Sequence, residues 1–286
     1  MIVAFCFFVR FGGQLAESRL WRVAVYVGCA IAIAAVSVAG MPKNITGGTM
    51  TYILAIAAVL YLRSTRGAGG MVALVFVVVA IAIGLLMEFR AILAYAVVLL
   101  AVRYGVRVFP RWLAFWGGIA AVIAAAWLAV WFFSNLYSSE TAAVVRQWIE
   151  AQTGRRVESG REWLWPMILN TVGPQPWFGL GSGVLPRDFL STDYSAHNYY
   201  IQTIMQVGYV GLGALGLYLA SVWRLLIGVR NAAAGAFAAG VMVMFCLHNI
   251  TEVLMFQNGL TAGLPAWISI GLGIGASVKA CSNSKA

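Results

Sequence analysis

Two arginines and a histidine, Arg90, Arg161 and His197, lie at the edges of apolar stretches or in the loop between them. A charge near the hydrocarbon region of a membrane is costly, so its default interpretation is a functional site. Two guanidinium groups can hold a diphosphate, because each pairs with phosphate oxygens and keeps its charge at neutral pH. A histidine can accept a proton from an attacking hydroxyl. These residue types are competent for glycosyl transfer from a lipid diphosphate.

Each of these residues also has a structural interpretation. Arg90 could extend to the membrane interface or pair with Glu88. Arg161 could form a salt bridge with a loop acid, and His197 could cap the helix that follows it. The sequence leaves these alternatives open, but the convergence of all three residues on one predicted face favours a site.

Polar neighbours of His197 could complete such a site. Asn198 follows it directly and is a candidate substrate-binding residue. Asp188 and Asp193 precede it and could orient it or meet an acceptor sugar, although solvated loop acids are the commoner case.

His248 and Glu252 are four residues apart, so we expect them on one face of one membrane helix. They would support the site or form a buried polar pair that satisfies itself. No acidic cluster has the spacing of a calcium loop, and the two histidines lie far apart, so we expect no metal and no cofactor. The four cysteines lack a CxxC pair and are expected to be structural: Cys6, Cys29, Cys246 and Cys281.

The composition is that of a membrane protein. Hydrophobic residues make up 62% and charged residues 10%, and the mean hydropathy is +0.87, whereas soluble domains carry about 25% charge. Met1–Val9 is too short to span a membrane or to act as a signal peptide. Eight spans are predicted, two of them short (48–62 and 88–103): 20–40, 48–62, 70–87, 88–103, 112–133, 197–223, 235–256 and 258–278.

The charges orient these spans. Twelve of the nineteen basic residues lie on the side of both termini, which the positive-inside rule makes cytoplasmic. Eight of the nine acids lie on the opposite side. The net charge of +10 is therefore a signal of topology and implies no nucleic-acid partner.

One large hydrophilic loop, 134–196, separates the fifth and sixth spans and is expected outside the cytoplasm. Within it, Ser139 should cap an amphipathic helix over Glu140–Glu150 that ends at Thr153-Gly154. The Ser-x-x-Glu pattern at Ser159–Glu162 predicts a capping box with Arg161 in the first helical turn. Four aromatic residues are of the type that settles at the headgroup level: Trp163, Trp165, Trp177 and Phe178.

The loop continues with two glycine-containing turns and shares its motifs with a known family. The turns are expected at Gly173–Pro176 and Gly179–Gly183. His197-Asn198, nine residues, and Gly208-Tyr-Val-Gly211 resemble the ligases of the O-antigen ligase and polymerase superfamily of bacterial membrane glycosyltransferases. Two further stretches are similar to its arginine motifs and its Pro-x-x-Gly-x-Gly turn: Glu88–Leu93, and Ser159–Trp165 followed by Pro176–Gly181.

The resemblance covers about residues 50–278 and implies an all-α, polytopic membrane protein of the GT-C type. It implies a metal-independent, inverting transferase that moves a glycan from undecaprenyl diphosphate to an acceptor hydroxyl at the periplasmic face of the bacterial inner membrane. The acceptor would be lipid A-core, another glycan or a protein. By position, Arg90 and Arg161 would bind the diphosphate and His197 would activate the acceptor.

Other interpretations stay open from the sequence. A polymerase would use a second growing glycan as acceptor. A transporter or lipid-binding protein would use the same charges along a pathway, but the inverted repeats expected of many transporters are not evident. We expect one membrane domain over 1–286. It has fewer spans than members of the family usually have, so it is a compact member or a fragment without activity of its own.

Overall fold

The computed structural model describes most of the chain beyond residue 90: residues 2–18, 91–154, 156–190, 195–256 and 263–283, with helical positions 27, 30, 31, 75, 78, 79, 81 and 82. Nearly all of the predicted spans 20–40, 48–62 and 70–87 falls outside the described residues. Arg90 and Asp193 also fall outside them.

The described residues form helices and no strands, so the all-α prediction is confirmed for this part of the chain. The helices are α1 (Ile2–Glu17), α2 (Ala91–Val108), α3 (Arg111–Ser134), α4 (Glu140–Thr153), α5 (Arg161–Val172), α6 (Tyr199–Gly228), α7 (Ala233–His248) and α8 (Gly263–Asn283), with a 3-10 turn at Pro186–Asp188. Among the described residues, α3 and α6 are long and apolar enough to cross a membrane. These helices fit a helical membrane protein, and the number of spans stays a prediction.

The N-terminal helix α1 extends beyond the apolar run Met1–Val9 and continues to Glu17. Arg10 does not end α1, because it lies on the exposed side with its guanidinium 5.8 Å from the ring centre of Phe11. Phe5 and Phe8 are buried, and α1 packs along α8. Close approach is possible because glycines of α8, such as Gly275, meet the α1 backbone.

The predicted span at 235–256 is wrong at its C-terminal end. Helix α7 ends at His248, and a turn follows. Asn249 accepts a backbone N–H five residues later (3.0 Å), and the Thr251 hydroxyl donates to the His248 carbonyl (3.2 Å). Such local side-chain bonds compete with a helix. Glu252 therefore lies in the turn, and the prediction that it shares a helical face with His248 is also wrong.

The chain divides into two compact units. In the first, Trp267 is fully buried and its ring makes edge contacts with Phe5 and Phe245, at centroid distances of 5.4 and 5.7 Å. Gly240 brings α7 against the backbone of Leu99 in α2, as small residues do in membrane helix pairs. The first unit comprises Met1–Gly118, Ser221–Phe245 and Phe256–Ala286.

The second unit comprises Ile119–Ala220 and Cys246–Met255. Its core centres on Trp165, which is fully buried and meets the ring of Phe133 edge-on at 5.2 Å. The sequence indicated that Trp165 faces lipid headgroups, whereas its ring is fully covered by protein. The buried residues around it come from α5, the start of α6 and the residue Ala196 just before α6: Leu164, Ile168, Val172, Ala196, Ile201 and Met205.

The hydrophilic loop contains both predicted helices and both predicted turns. Helix α4 begins after Ser139 and ends at Gly154, which adopts a left-handed conformation (φ 64°). The Ser139 side chain makes no capping hydrogen bond, although it occupies the cap position. The loop lies between the end of α3 and the start of α6, and its side of the membrane stays a prediction.

Helix α6 is broken at Gly208, whose φ of 66° and ψ of −166° are not helical. The segment Pro176–Gly181, here called the clasp, fills the gap with four backbone hydrogen bonds of 2.8 to 3.1 Å. The N–H groups of Leu180 and Gly181 donate to the carbonyls of Met205 and Gln206, and those of Tyr209 and Val210 donate to the carbonyls of Pro176 and Trp177. The break leaves none of these backbone groups unpaired, as an apolar surrounding requires.

Candidate active site

Arg161 is the first residue of α5 and therefore lies in the first helical turn, as the Ser-x-x-Glu pattern predicts. The Glu162 carboxylate accepts hydrogen bonds from the backbone N–H groups of Ser159 and Gly160, at 3.2 and 3.1 Å. The cap position itself belongs to Gly160 (φ 82°) and not to Ser159. The carboxylate half of the predicted capping box is therefore present, and the helix starts one residue later than the box implies.

The Arg161 side chain is held in a half-buried position. Its Nη2 donates to the carbonyl of Thr251 at 2.9 Å, and its guanidinium lies 5.9 Å from the ring centre of Phe133. Burial lowers the pKa of Arg161, while the charges of Glu252 and Glu162 raise it. An arginine guanidinium stays protonated in proteins at neutral pH, so Arg161 is a cation in this site.

His197 has a left-handed backbone conformation, with φ of 47°. This region is uncommon for residues other than glycine and occurs often at functional sites. The two residues that precede His197 take part in hydrogen bonds that hold this segment in place. Trp165 Nε1 donates to the carbonyl of Ala196 at 2.8 Å, and the N–H of His197 donates to the Ser195 hydroxyl at 3.3 Å.

Asn198 caps α6. Its Oδ1 accepts the backbone N–H groups of Tyr200 (2.9 Å) and Ile201 (3.0 Å), a standard N-cap arrangement. The capping role considered for His197 therefore belongs to Asn198. Asn198 is fully buried, a placement that fits the positioning of His197, and the substrate contact expected from the sequence stays a prediction.

Glu252 joins the two candidate groups. One carboxylate oxygen lies 3.6 Å from Nδ1 of His197, and the other lies 4.0 Å from Nη2 of Arg161. All three side chains are partly accessible, at 27%, 33% and 20% exposure for Glu252, His197 and Arg161. The carboxylate can therefore orient the imidazole and remain near the guanidinium while a ligand still reaches the cluster.

The turn that carries Glu252 is tied to the start of α6. Tyr199 N–H donates to the carbonyl of Asn249, and the Tyr200 hydroxyl donates to the carbonyl of Cys246, both at 2.9 Å. These bonds fix Glu252 opposite His197. His248 is buried at the end of α7, and its supporting role stays a prediction.

The remaining predicted residues do not join this cluster in the described part of the chain. Arg90 and Asp193 are outside it, so their roles stay predictions. Asp188 accepts the Leu185 N–H at 2.8 Å and stabilises the 3-10 turn. No group of three His, Cys, Asp or Glu side chains among the described residues could hold a metal ion.

Several contacts of the site were not predicted from the sequence. Phe133 and the Thr251 carbonyl flank Arg161, and Asn249 shapes the turn that brings Glu252 to His197. The run Asn249-Ile-Thr251-Glu252 directly after His248 is a signal for that turn, since Asn and Thr side chains bond to nearby backbone groups.

Three buried polar atoms of the site have no hydrogen-bond partner among the described residues: Arg161 Nε, His197 Nδ1 and Asn198 Nδ2. Buried polar atoms are rarely left unpaired without a functional reason. A fixed imidazole, a carboxylate behind it and a neighbouring guanidinium can accept a proton and stabilise a leaving anion.

Residues 75–216 match the family described as O-antigen ligase. No match was found among curated proteins. The matched region is narrower than the resemblance predicted from the motifs, and it contains Arg90, Arg161, His197 and Gly208–Gly211 but not Glu252. Residues 75–216 thus belong to the O-antigen ligase family, which supports a ligase- or polymerase-like role in O-antigen processing at a bacterial membrane.

Proposed function

We propose that this chain transfers a glycan from undecaprenyl diphosphate to a hydroxyl of lipid A-core, at the periplasmic face of the inner membrane. The observation that carries the proposal is the placement of His197 and Arg161 on the two oxygens of one carboxylate, Glu252. The proposal also draws on the family match over residues 75–216.

His197 acts as the general base. Its Nδ1 faces Glu252 at 3.6 Å, which leaves Nε2 to accept the proton of the acceptor hydroxyl. The acceptor oxygen attacks the anomeric carbon, and the bond from that carbon to the diphosphate oxygen breaks with its electron pair on the diphosphate. Glu252 orients the ring and stabilises the imidazolium that forms. Direct displacement inverts the configuration at the anomeric carbon.

Arg161 stabilises the diphosphate that leaves. Its separation of 4.0 Å from Glu252 is long for an ion pair, so phosphate oxygens can compete for the guanidinium. Because Glu252 offsets part of this charge, a second cation is needed opposite a diphosphate. Arg90 is our candidate for that cation, from the sequence alone.

The proposal places the loop 134–196 and its site outside the cytoplasm. Its support is the distribution of charge along the chain, with twelve basic residues assigned to the opposite side. Undecaprenyl diphosphate and lipid A-core would both reach the site from the membrane.

A transfer assay with three separate acceptors tests this function. The purified chain is reconstituted in proteoliposomes with an undecaprenyl-diphosphate-linked glycan and lipid A-core, an acceptor protein or a second lipid-linked glycan. We expect glycosylated lipid A-core and released undecaprenyl diphosphate. Elongated lipid-linked glycan alone would make the chain a polymerase, and glycan movement across the membrane without a new bond would make it a transporter.

A further inference from the structure

A cavity of about 480 Å³ in the first unit takes no part in the proposed transfer. It is lined by three residues of the first five in α3 and three of the last five in α6. On each helix, the three lining residues are spaced so that they lie on one face. They are Arg111, Trp112, Phe115, Arg224, Ile227 and Gly228.

The two arginines of this cavity carry charge that no described residue balances. Arg111 and Arg224 are exposed, and neither has a hydrogen-bond or ion-pair partner among the described residues. By contrast, Arg107 and Arg230 donate to the carbonyls of Asn231 and Phe109. Two like charges at one cavity repel each other, and a bound anion removes that cost.

The sequence around the cavity is strongly basic. Residues 91–118 and 221–245 contain five arginines and no Asp or Glu. An anion approaching this cavity therefore meets no repelling carboxylate from either stretch. The unbalanced charge favours an anionic ligand but does not by itself distinguish a lipid from a soluble phosphate.

The apolar part of the cavity favours a lipid. Arg111 begins α3 and Gly228 ends α6, and both helices are long and apolar enough to cross a membrane. The spans predicted over these helices place their ends near the depth of lipid headgroups. Trp112 is 66% exposed, as is common for tryptophan at the membrane interface. Phe115 and Ile227 add apolar wall that a soluble phosphate would leave unused.

We propose that this cavity binds the headgroup of an anionic glycerophospholipid. Arg111 and Arg224 contact the phosphodiester, and Trp112 and Phe115 contact the glycerol and the first acyl methylenes. Basic pockets between membrane helices are a known way of recognising anionic lipids. The proposal stands independently of glycan transfer, because it uses none of the residues of the site around Glu252.

Native mass spectrometry of the full chain in detergent tests it, with phosphatidylglycerol and phosphatidylcholine as probes. The wild type should bind phosphatidylglycerol in preference to phosphatidylcholine. Each arginine near an anionic headgroup contributes about fivefold, so Arg111→Gln combined with Arg224→Gln should weaken phosphatidylglycerol binding about 25-fold. Equal binding by this double variant and the wild type would overturn the proposal.

The matched control removes two other arginines of the same unit. Arg107→Gln with Arg230→Gln makes the same change in net charge outside the cavity and should weaken binding less than about threefold. An equal loss in both double variants would show general attraction to a basic surface and reject the cavity. Displacement of the lipid by an equimolar amount of inorganic pyrophosphate would also overturn the proposal, because it would identify a soluble-phosphate site.

Two further variants test the proposal if the variant with Arg111→Gln and Arg224→Gln does not fold. Arg111→Lys with Arg224→Lys preserves the charge and should retain most of the binding. Trp112→Ala removes an exposed ring and leaves both arginines in place, and it should weaken phosphatidylglycerol binding several-fold. Unchanged lipid binding by folded Trp112→Ala would reject the apolar contact on which the choice of a lipid rests.

Discussion

At the scale of single residues, the site depends on a carboxylate whose contacts with His197 and Arg161 the sequence did not predict. Spacing alone placed Glu252 with His248, but the turn after α7 carries it to His197 and Arg161. Both of these partners come from segments at least 50 residues earlier in the chain. Helical periodicity describes neighbours within one helix and gives no information about such contacts.

Glu252→Gln should lower kcat about 100-fold and leave KM for the lipid-linked donor within about twofold, because an orienting carboxylate acts chiefly in the transition state. Steady-state kinetics in proteoliposomes checks this split. Glu140→Gln removes an exposed carboxylate from the first turn of α4 and should leave both constants unchanged. A wild-type kcat for Glu252→Gln would remove Glu252 from the mechanism.

Asn198 acts on His197 through the backbone, so its loss should lower both the stability of the chain and the rate of transfer. Asn198→Ala removes both capping hydrogen bonds and should cost about 1 kcal/mol of stability. It should also slow transfer, because His197 loses the anchor on its C-terminal side.

Asn198→Ser can still cap the helix and should recover part of both losses. Thermal unfolding in detergent and the transfer rate are measured on the same preparations. If Asn198→Ala unfolds earlier but transfers glycan at the wild-type rate, Asn198 supports the fold only.

At the scale of elements, two sequence motifs form a single structure, in which the clasp binds α6 at its break. The Pro-x-x-Gly-x-Gly turn and the Gly208–Gly211 pair are far apart in sequence, and they meet through backbone hydrogen bonds. A glycine is required at the break because the backbone conformation of Gly208 is essentially restricted to glycine. These motifs hold the clasp and the N-terminal part of α6 together through backbone contacts.

Gly208→Ala should destabilise the chain by roughly 3 kcal/mol or more, since strain and overlap act together. A Cβ at Gly208 would overlap the backbone carbonyl of Trp177. Gly216→Ala is the control, because it lies in the same helix with open space around its Cβ. Thermal unfolding should separate the two variants, and equal stability would show that the break is not structurally required.

The elements differ in how far sequence could predict them. Long apolar runs predicted α3 to within one residue at each end and α6 to within five residues, and the polar loop predicted α4, α5 and both turns. The break in α6 was not predictable, because it depends on pairing with the distant clasp. The full burial of Trp165 also depends on tertiary packing, whereas its aromatic type only indicated an interfacial position.

At the scale of the whole molecule, the charge distribution predicts which parts of the chain face the periplasm. This prediction is testable with single cysteines in a variant that lacks the four native ones. Arg156→Cys in the loop should react with a membrane-impermeant maleimide in intact spheroplasts. Arg224→Cys should react only after the membrane is permeabilised. The opposite pattern would invert the topology and place the site in the cytoplasm.

Glycan transfer by variants of the two chemical groups tests the mechanism most directly. His197→Ala and Arg161→Ala are purified, shown to unfold at temperatures close to the wild type, and assayed in proteoliposomes with the lipid-linked donor and the acceptor that the wild type uses. We expect a loss of at least about 100-fold for each variant, as for removal of a general base or of an anion-stabilising group. Full transfer by either folded variant would contradict the proposed roles of His197 and Arg161.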